Sequence, residues 1–170
     1  MISSIIIQFD RQPHEFQPLE TVSGTFRLVD MHLEDVNRIE FSVLWYTEGK
    51  GDEDLGVHYF ETLDWTKPLS KTQVKMVSEE DFTSDSEQEN SETRKPEIVN
   101  CVWAGDETPD GKKFHFTVRL PASPLSYYGK ILKIHWVVRV RAFMKGGVRE
   151  VKGERVFTVG HIPAVQVDLK

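Results

Sequence analysis

The sequence predicts an all-β fold in which two antiparallel sheets pack face to face as an immunoglobulin-like sandwich. Segment 130–142 shows the main observation, because apolar residues occupy every second position, as in a strand with one face on a core. These residues are Leu132, Ile134, Trp136, Val138, Val140 and Ala142. The intervening positions carry Lys133, His135, Val137, Arg139 and Arg141, which we expect to face water. No window of a dozen residues shows a strong helical period.

Seven further segments have the length and alternation of strands, and turn residues separate them. They are Ser4–Phe9 and residues 22–28, 39–46, 56–63, 97–104, 114–120 and 149–159. Glycines at 49 and 51, at 111, and at 146 and 147 are typical of hairpin turns, because glycine tolerates positive φ. Pro121 is expected to end the strand before it, because proline cannot donate to a ladder. About eight strands with regular turns favour a two-sheet sandwich.

Composition limits the class of protein. A chain of 170 residues fits one domain, 1–170, and its net charge of −6 argues against a general nucleic-acid binder. The single cysteine, Cys101, excludes an intramolecular disulfide. The first apolar run is too short for a signal peptide, and no run reaches the roughly 18 residues of a membrane span. These observations predict a soluble, cytoplasmic protein.

Residues 78–96 differ from the rest of the chain, because they hold seven acidic residues, two basic ones and one aromatic. Such a segment buries too little apolar area to offset its ordering entropy, so we predict a mobile acidic loop inserted in the domain. Its serines at 78, 84 and 86 are candidate phosphorylation sites, with an unmodified solvated linker as the alternative. Of 27 acidic and 21 basic residues, 20 and 19 lie outside the loop, so the remaining body is close to neutral.

Several motifs resemble those of the arrestin-like domain family, in the same order along the chain. They are VSGTFRL at 22–28, NRIEFSVLWY at 37–46, FHFTVRLP at 114–121, PLSYYGK at 124–130, ILKIHWVVRVR at 131–141 and RVFTV at 155–159. The family includes arrestins, the arrestin-like subunit of retromer and a bacterial sporulation-control protein. The resemblance implies a single arrestin-like domain that binds or scaffolds proteins without a cofactor. It implies no particular ligand, and no counterpart of the arrestins' buried charged switch is present.

The late strands carry the candidate contact residues Arg119, Lys133, Arg139 and Arg141. One interpretation is a solvated outer face, since exposed charges are usual on sandwich strands. The other is a surface that recognises acidic or phosphorylated partners, because arginines on adjacent strands can offer paired forks to anions. In that case the acidic loop at 78–96 would compete for the same face.

No arrangement of residues indicates catalysis, because the sequence does not place a nucleophile, a base and an orienting group together. Cys101 reads as a small core residue. Acidic clusters at 52–54 and at 106 and 110 match no calcium motif and read as hairpin tips. The six histidines have no metal-ligand spacing. We therefore expect a non-enzyme with no metal and no cofactor.

A carbohydrate-binding sandwich is the alternative function, since exposed aromatic rings can stack on sugars. Of the four tryptophans, Trp45, Trp103 and Trp136 are expected in the core, and Trp65 is the candidate for exposure. For a protein partner, a further binding mode is strand addition at a sheet edge, with Ser4–Phe9 as the candidate edge. The sequence leaves the partner and the oligomeric state open.

Overall fold

The computed structural model describes residues 3–63, 100–108, 111–147, 149–160 and 162, with the backbone alone for residues 100–108 and Gly111. Ten strands lie in these ranges, and a short 3-10 turn, Leu33–Asp35, precedes the fourth. The strands are β1 (Ser4–Phe9), β2 (Glu15–Phe16), β3 (Thr21–Val29), β4 (Val36–Gly49), β5 (Leu55–Leu63), β6 (Asn100–Thr108), β7 (Gly111–Arg119), β8 (Tyr127–Tyr128), β9 (Leu132–Met144) and β10 (Glu150–Val159). The eight predicted strands are confirmed within a few residues at each end. The two-residue strands β2 and β8 were not predicted, because so short a segment carries no period.

The strands form two sheets, which confirms the predicted all-β sandwich. The four-stranded sheet has the order β1-β3-β7-β6. The six-stranded sheet has the order β2-β10-β9-β4-β5, with β8 paired to the start of β9. Pairing is antiparallel except between β2 and β10, which run parallel through Glu15 and Phe16. The antiparallel sandwich thus carries one short parallel pairing at its edge, which the sequence did not predict.

Aromatic side chains fill the space between the sheets. Phe26 and Phe114 stack with ring centroids 4.7 Å apart, and Phe41 lies 5.1 Å from Phe116 across the interface. Trp136 is fully buried, and its indole N–H donates to the carbonyl oxygen of Pro124 at 2.9 Å. The alternate positions predicted to face the core on β3, β4, β7 and β9 supply most of this cluster.

The predicted turns connect neighbouring strands. Gly146 and Gly147 have φ values of 91° and 76°, so the connection from β9 to β10 uses backbone conformations that glycine adopts without strain. Residue 49 ends β4 before the connection to β5, and Gly111 begins β7. The predicted acidic loop at 78–96, the phosphorylation candidates within it and Trp65 lie outside the described residues.

Two contacts join the sheets at their margins. An irregularity in the pairing of β4 with β5 adds one residue, His58, whose Nε2 lies 2.7 Å from the carbonyl oxygen of Arg119 on β7. At the other margin, Gly153 of β10 lies so close to β1 that an added Cβ would be 2.9 Å from the carbonyl oxygen of Ile5. Strand β1 is an edge strand, as expected, but β10 lies against part of it.

Candidate binding surface

The two sheets present different outer faces. On the four-stranded sheet a polar row crosses three strands, because Gln8 pairs with Thr25 and Thr25 pairs with His115. Gln8 and His115 are exposed, as is usual for a solvated sheet face. The outer face of the six-stranded sheet is apolar at its centre. We call it the outer face from here on.

A straight apolar row crosses the outer face over four strands. Val57 pairs with Leu44, Leu44 with Val137, and Val137 with Val156. Leu44 and Val137 are 2% and 1% exposed, although they lie outside the core cluster between the sheets. The ends of the row are open, with Val57 56% and Val156 46% exposed, and Phe60 beside it is 56% exposed. The row is therefore a second apolar layer, buried at its centre and accessible at both ends.

The row corrects one expectation from the sequence. Val137 occupies a position predicted to face water, but it is buried, as is its cross-strand partner Leu44. Longer side chains, Tyr46, Arg139 and His135, occupy the adjacent positions of the same face. Arginine and tyrosine can lay their apolar stems on such a surface while their polar ends remain in water.

Ion pairs border the apolar row on the side toward the end of β9. Arg139 Nε lies 2.5 Å from Glu154 Oε1. Arg141 makes a bidentate ion pair with Glu150, in which Nε lies 2.7 Å from Oε1 and Nη2 lies 2.9 Å from Oε2. Its Nη1 also lies 3.4 Å from a carboxylate oxygen of Glu40 on β4. Each arginine fork therefore already holds a carboxylate of this chain.

A second charged group lies on the other side of the row. Glu48 of β4 accepts from the Lys133 ammonium at 2.8 Å and lies 3.1 Å from His135 Nε2. The ring of His135 stacks on Tyr46 at 5.1 Å and meets the edge of Tyr128 at 5.5 Å. This side of the apolar row is thus aromatic next to the row and charged beyond it.

The ion pairs lower the pKa values of their carboxyl groups. The hydrogen bond and charge of Arg141 hold the pKa of Glu150 below its ordinary value, and Lys133 does the same to the pKa of Glu48. Partial burial raises the pKa of Glu154, but the hydrogen bond and charge of Arg139 outweigh it, so that the pKa is lowered. All three carboxylates are charged at neutral pH, and the outer face is close to balanced in charge.

Three of the four predicted contact residues share this face, and the fourth does not. Lys133, Arg139 and Arg141 alternate along β9 and point outward. Arg119 lies on β7, in the other sheet, and its Nε donates to the carbonyl oxygen of Leu19 at 3.2 Å. Strands of both sheets show the same period of two. The sequence alone therefore could not show that Arg119 lies in a different sheet from Lys133, Arg139 and Arg141.

The described residues offer little to a small ligand. One open surface hollow lies beside β2 and Tyr128, and another lies between the end of β9 and the start of β10. Among residues 3–63, 111–147 and 149–160, no three histidine, aspartate or glutamate side chains converge as metal ligands would. No helix in the described part of the chain has the length and apolarity needed to cross a membrane. The side chains of Cys101, Trp103 and the acidic residue at 106, and all of Asp110, lie outside the described part.

Comparisons with solved structures show what the fold is similar to, with two proteins as examples. The chain is similar to Spo0M, a sporulation control protein from Bacillus subtilis, at 13% identity and a TM-score of 0.49, over 92% of this chain. It spans 49% of the Spo0M chain, about half its length. It is also similar to a cohesin module of a Clostridium perfringens ATCC13124 family 33 glycoside hydrolase, at 8% identity and a TM-score of 0.31, over 95% of this chain and 98% of that one.

The sandwich itself rests on the strand order and the pairings described above. No family model matches the chain. No curated protein matches it.

Proposed function

We propose that this chain is a non-catalytic protein-binding module that docks its partner on the outer face of the six-stranded sheet. The apolar row from Val57 to Val156 is the observation that carries the proposal. An apolar centre bordered by ion pairs is the usual anatomy of a protein interface. The corresponding row on the other sheet, through Gln8, Thr25 and His115, is polar.

The predicted contact residues belong to the rim of this interface. Lys133, Arg139 and Arg141 flank the row, and their charges would orient a partner and speed its encounter. Arg119 is left out of the proposed site because it lies on the opposite sheet. We also propose that the protein binds its partner in the cytoplasm.

Recognition of acidic or phosphorylated partners is the finer form of the proposal. Arg141 holds Glu150 by two parallel contacts, which is the geometry an arginine uses for a carboxylate or phosphate group of another molecule. A partner's anion would take the place of Glu150 on Arg141, and another would take the place of Glu154 on Arg139. Binding would then be an exchange of one carboxylate for another.

Affinity capture from native lysate tests the general proposal. The bait variants are the Arg139→Glu/Arg141→Glu pair and the single Arg139→Glu on the outer face, with Arg119→Glu on the other sheet as the charge-reversal control for the single variant. We expect the outer-face variants to lose the captured protein and Arg119→Glu to keep it. Equal loss from the single variants Arg139→Glu and Arg119→Glu, or no loss from any bait, would remove the outer face as the site.

Titration with a phosphoserine- and glutamate-rich peptide tests the finer form. The Glu150→Gln/Glu154→Gln variant keeps the shape of both side chains but frees the arginine forks, so its affinity for the peptide should rise severalfold. Unchanged affinity would show that the glutamates do not compete with the ligand. Deletion of residues 78–96 should likewise raise the affinity for the peptide if the predicted acidic loop competes for the same arginines.

A further inference from the structure

We infer that the outer face binds the outer face of a second copy of this chain, so that two six-stranded sheets pack back to back. This inference rests on the proposed function, because it names the occupant of the same surface. Three features of the face carry it: its charge balance, the symmetry of its apolar row and its size.

The charge of the outer face suits contact with itself. Its ion pairs involve five cations, Arg38, Lys133, Arg139, Arg141 and Lys152, and four glutamates, Glu40, Glu48, Glu150 and Glu154. A face with a large excess of one sign would repel its copy, since like charges brought together are costly. Here the excess is a single charge, and each cation of β9 lies beside a glutamate of β4 or β10. Two copies can meet without net repulsion.

The apolar row is alike at its two ends. Val57 is exposed on β5 and Val156 is exposed on β10, while Leu44 and Val137 between them are buried. An axis of two-fold symmetry along the strands, midway between β4 and β9, would place the Val57 end of one copy over the Val156 end of the other. Such a contact is isologous, which is the commonest arrangement of homodimers. Each exposed valine would gain an apolar neighbour.

The size of the face meets the need of a stable dimer. Strands β4, β5, β9 and β10 have 14, 9, 13 and 10 residues. At about 3.4 Å of length per residue and about 4.8 Å of width per strand, the face covers about 750 Å². A standard interface buries about 800 Å² on each partner, within a range of about 600–1,000 Å². Stacked sheets commonly pack about 10 Å apart with their strands within about 30° of each other.

Sedimentation velocity of the complete chain, from low to high micromolar concentration, tests the inference. Wild type should show a reversible dimer. Val57→Glu and Val156→Glu should each weaken the dimer at least about tenfold, because each places an unpaired charge in the interface. The matched control is Ile6→Glu, which introduces the same charge at an exposed apolar position of β1 on the other sheet. We expect it to dimerise as wild type does.

Circular dichroism confirms that each variant is folded, and the three substituted positions are all exposed strand positions that a folded monomer tolerates. A chain that stays monomeric at every concentration overturns the inference. So does a dimer that survives both valine substitutions or is lost with Ile6→Glu. Capture of a different protein that depends on Val156, by a monomeric chain, would leave the proposed function standing and remove only the second copy. A dimer that depends on both valines, without any other captured protein, would support both, with the second copy as the partner.

Discussion

The replacement of Leu44 by alanine tests whether the outer face is built as a packed apolar layer. Leu44 points away from the main core and is 2% exposed. The substitution removes three carbon atoms, and each buried CH₂ contributes about 0.8 kcal/mol, so the free energy of unfolding should fall by about 2 kcal/mol. The cavity term is small here, because Tyr46 and Arg139 at the surface can close over the gap. In a chain of this size the midpoint temperature should fall by about 6 °C.

Urea and thermal unfolding followed by circular dichroism measure this change. Both are run at low protein concentration in the Val156→Glu background, because self-association would add its own stabilisation. Val57→Ala is the control on the same row, and it should cost less than about 1 kcal/mol because this valine is already 56% exposed. If Leu44→Ala costs no more than Val57→Ala, the row is not a packed layer and the account of the face is wrong.

Three further predictions concern the frame and the charges around the face. Gly24→Ala should lower the free energy of unfolding in urea by about 1–3 kcal/mol, because the new Cβ would lie 2.3 Å from the backbone oxygen of Gln8. An unchanged midpoint of urea unfolding would contradict the pairing of β1 with β3. Ser126→Ala should cost about 1–3 kcal/mol, because the buried N–H of Val159 loses its hydroxyl acceptor at 2.9 Å; a neutral result would show that another acceptor replaces it. Acidification should weaken the dimer, and wild type should lose more stability than Glu150→Gln in thermal unfolding from neutral pH to about pH 3.

The direction of the pH effect follows from the depressed pKa values. Arg141 holds the pKa of Glu150 below 4.5, the value in the unfolded chain. The unfolded state therefore takes up protons first as the pH falls. The stabilisation is complete above 4.5 and is lost as the pH drops through the folded-state pKa. Over the same range the outer face loses its negative charges and keeps its cations, so two copies repel each other. A dimer that tightens in acid would contradict the charge balance proposed here.

The sequence was sufficient for the strands, because alternation along one strand is a local property. Trp136, Val138 and Val140 are buried where the period of two placed them. The turn glycines also acted as predicted, since positive φ at Gly146 and Gly147 is a local requirement. Short elements such as β2 were missed because two residues carry no pattern.

The binding surface could not be derived in the same way, because it depends on the register between strands. The sequence of a single strand does reveal an apolar residue at an outward position, such as Leu44 on β4 or Val137 on β9. Their alignment into one row with Val57 and Val156 follows from cross-strand pairing, which no local pattern encodes. The same register decides that Glu154 meets Arg139. Assignment of Arg119 to the opposite sheet required the strand order.

Hydroxyl-radical footprinting of the complete chain, free and in its complex, tests the central claim most directly. The side chain of Phe60, exposed beside the apolar row, should react rapidly in the free monomer and become protected when the surface is occupied, whether by a second copy or by another protein. Ile6 on the opposite sheet should react equally in both states. Protection of Ile6 with Phe60 left fully reactive would show that binding uses the other face of the sandwich.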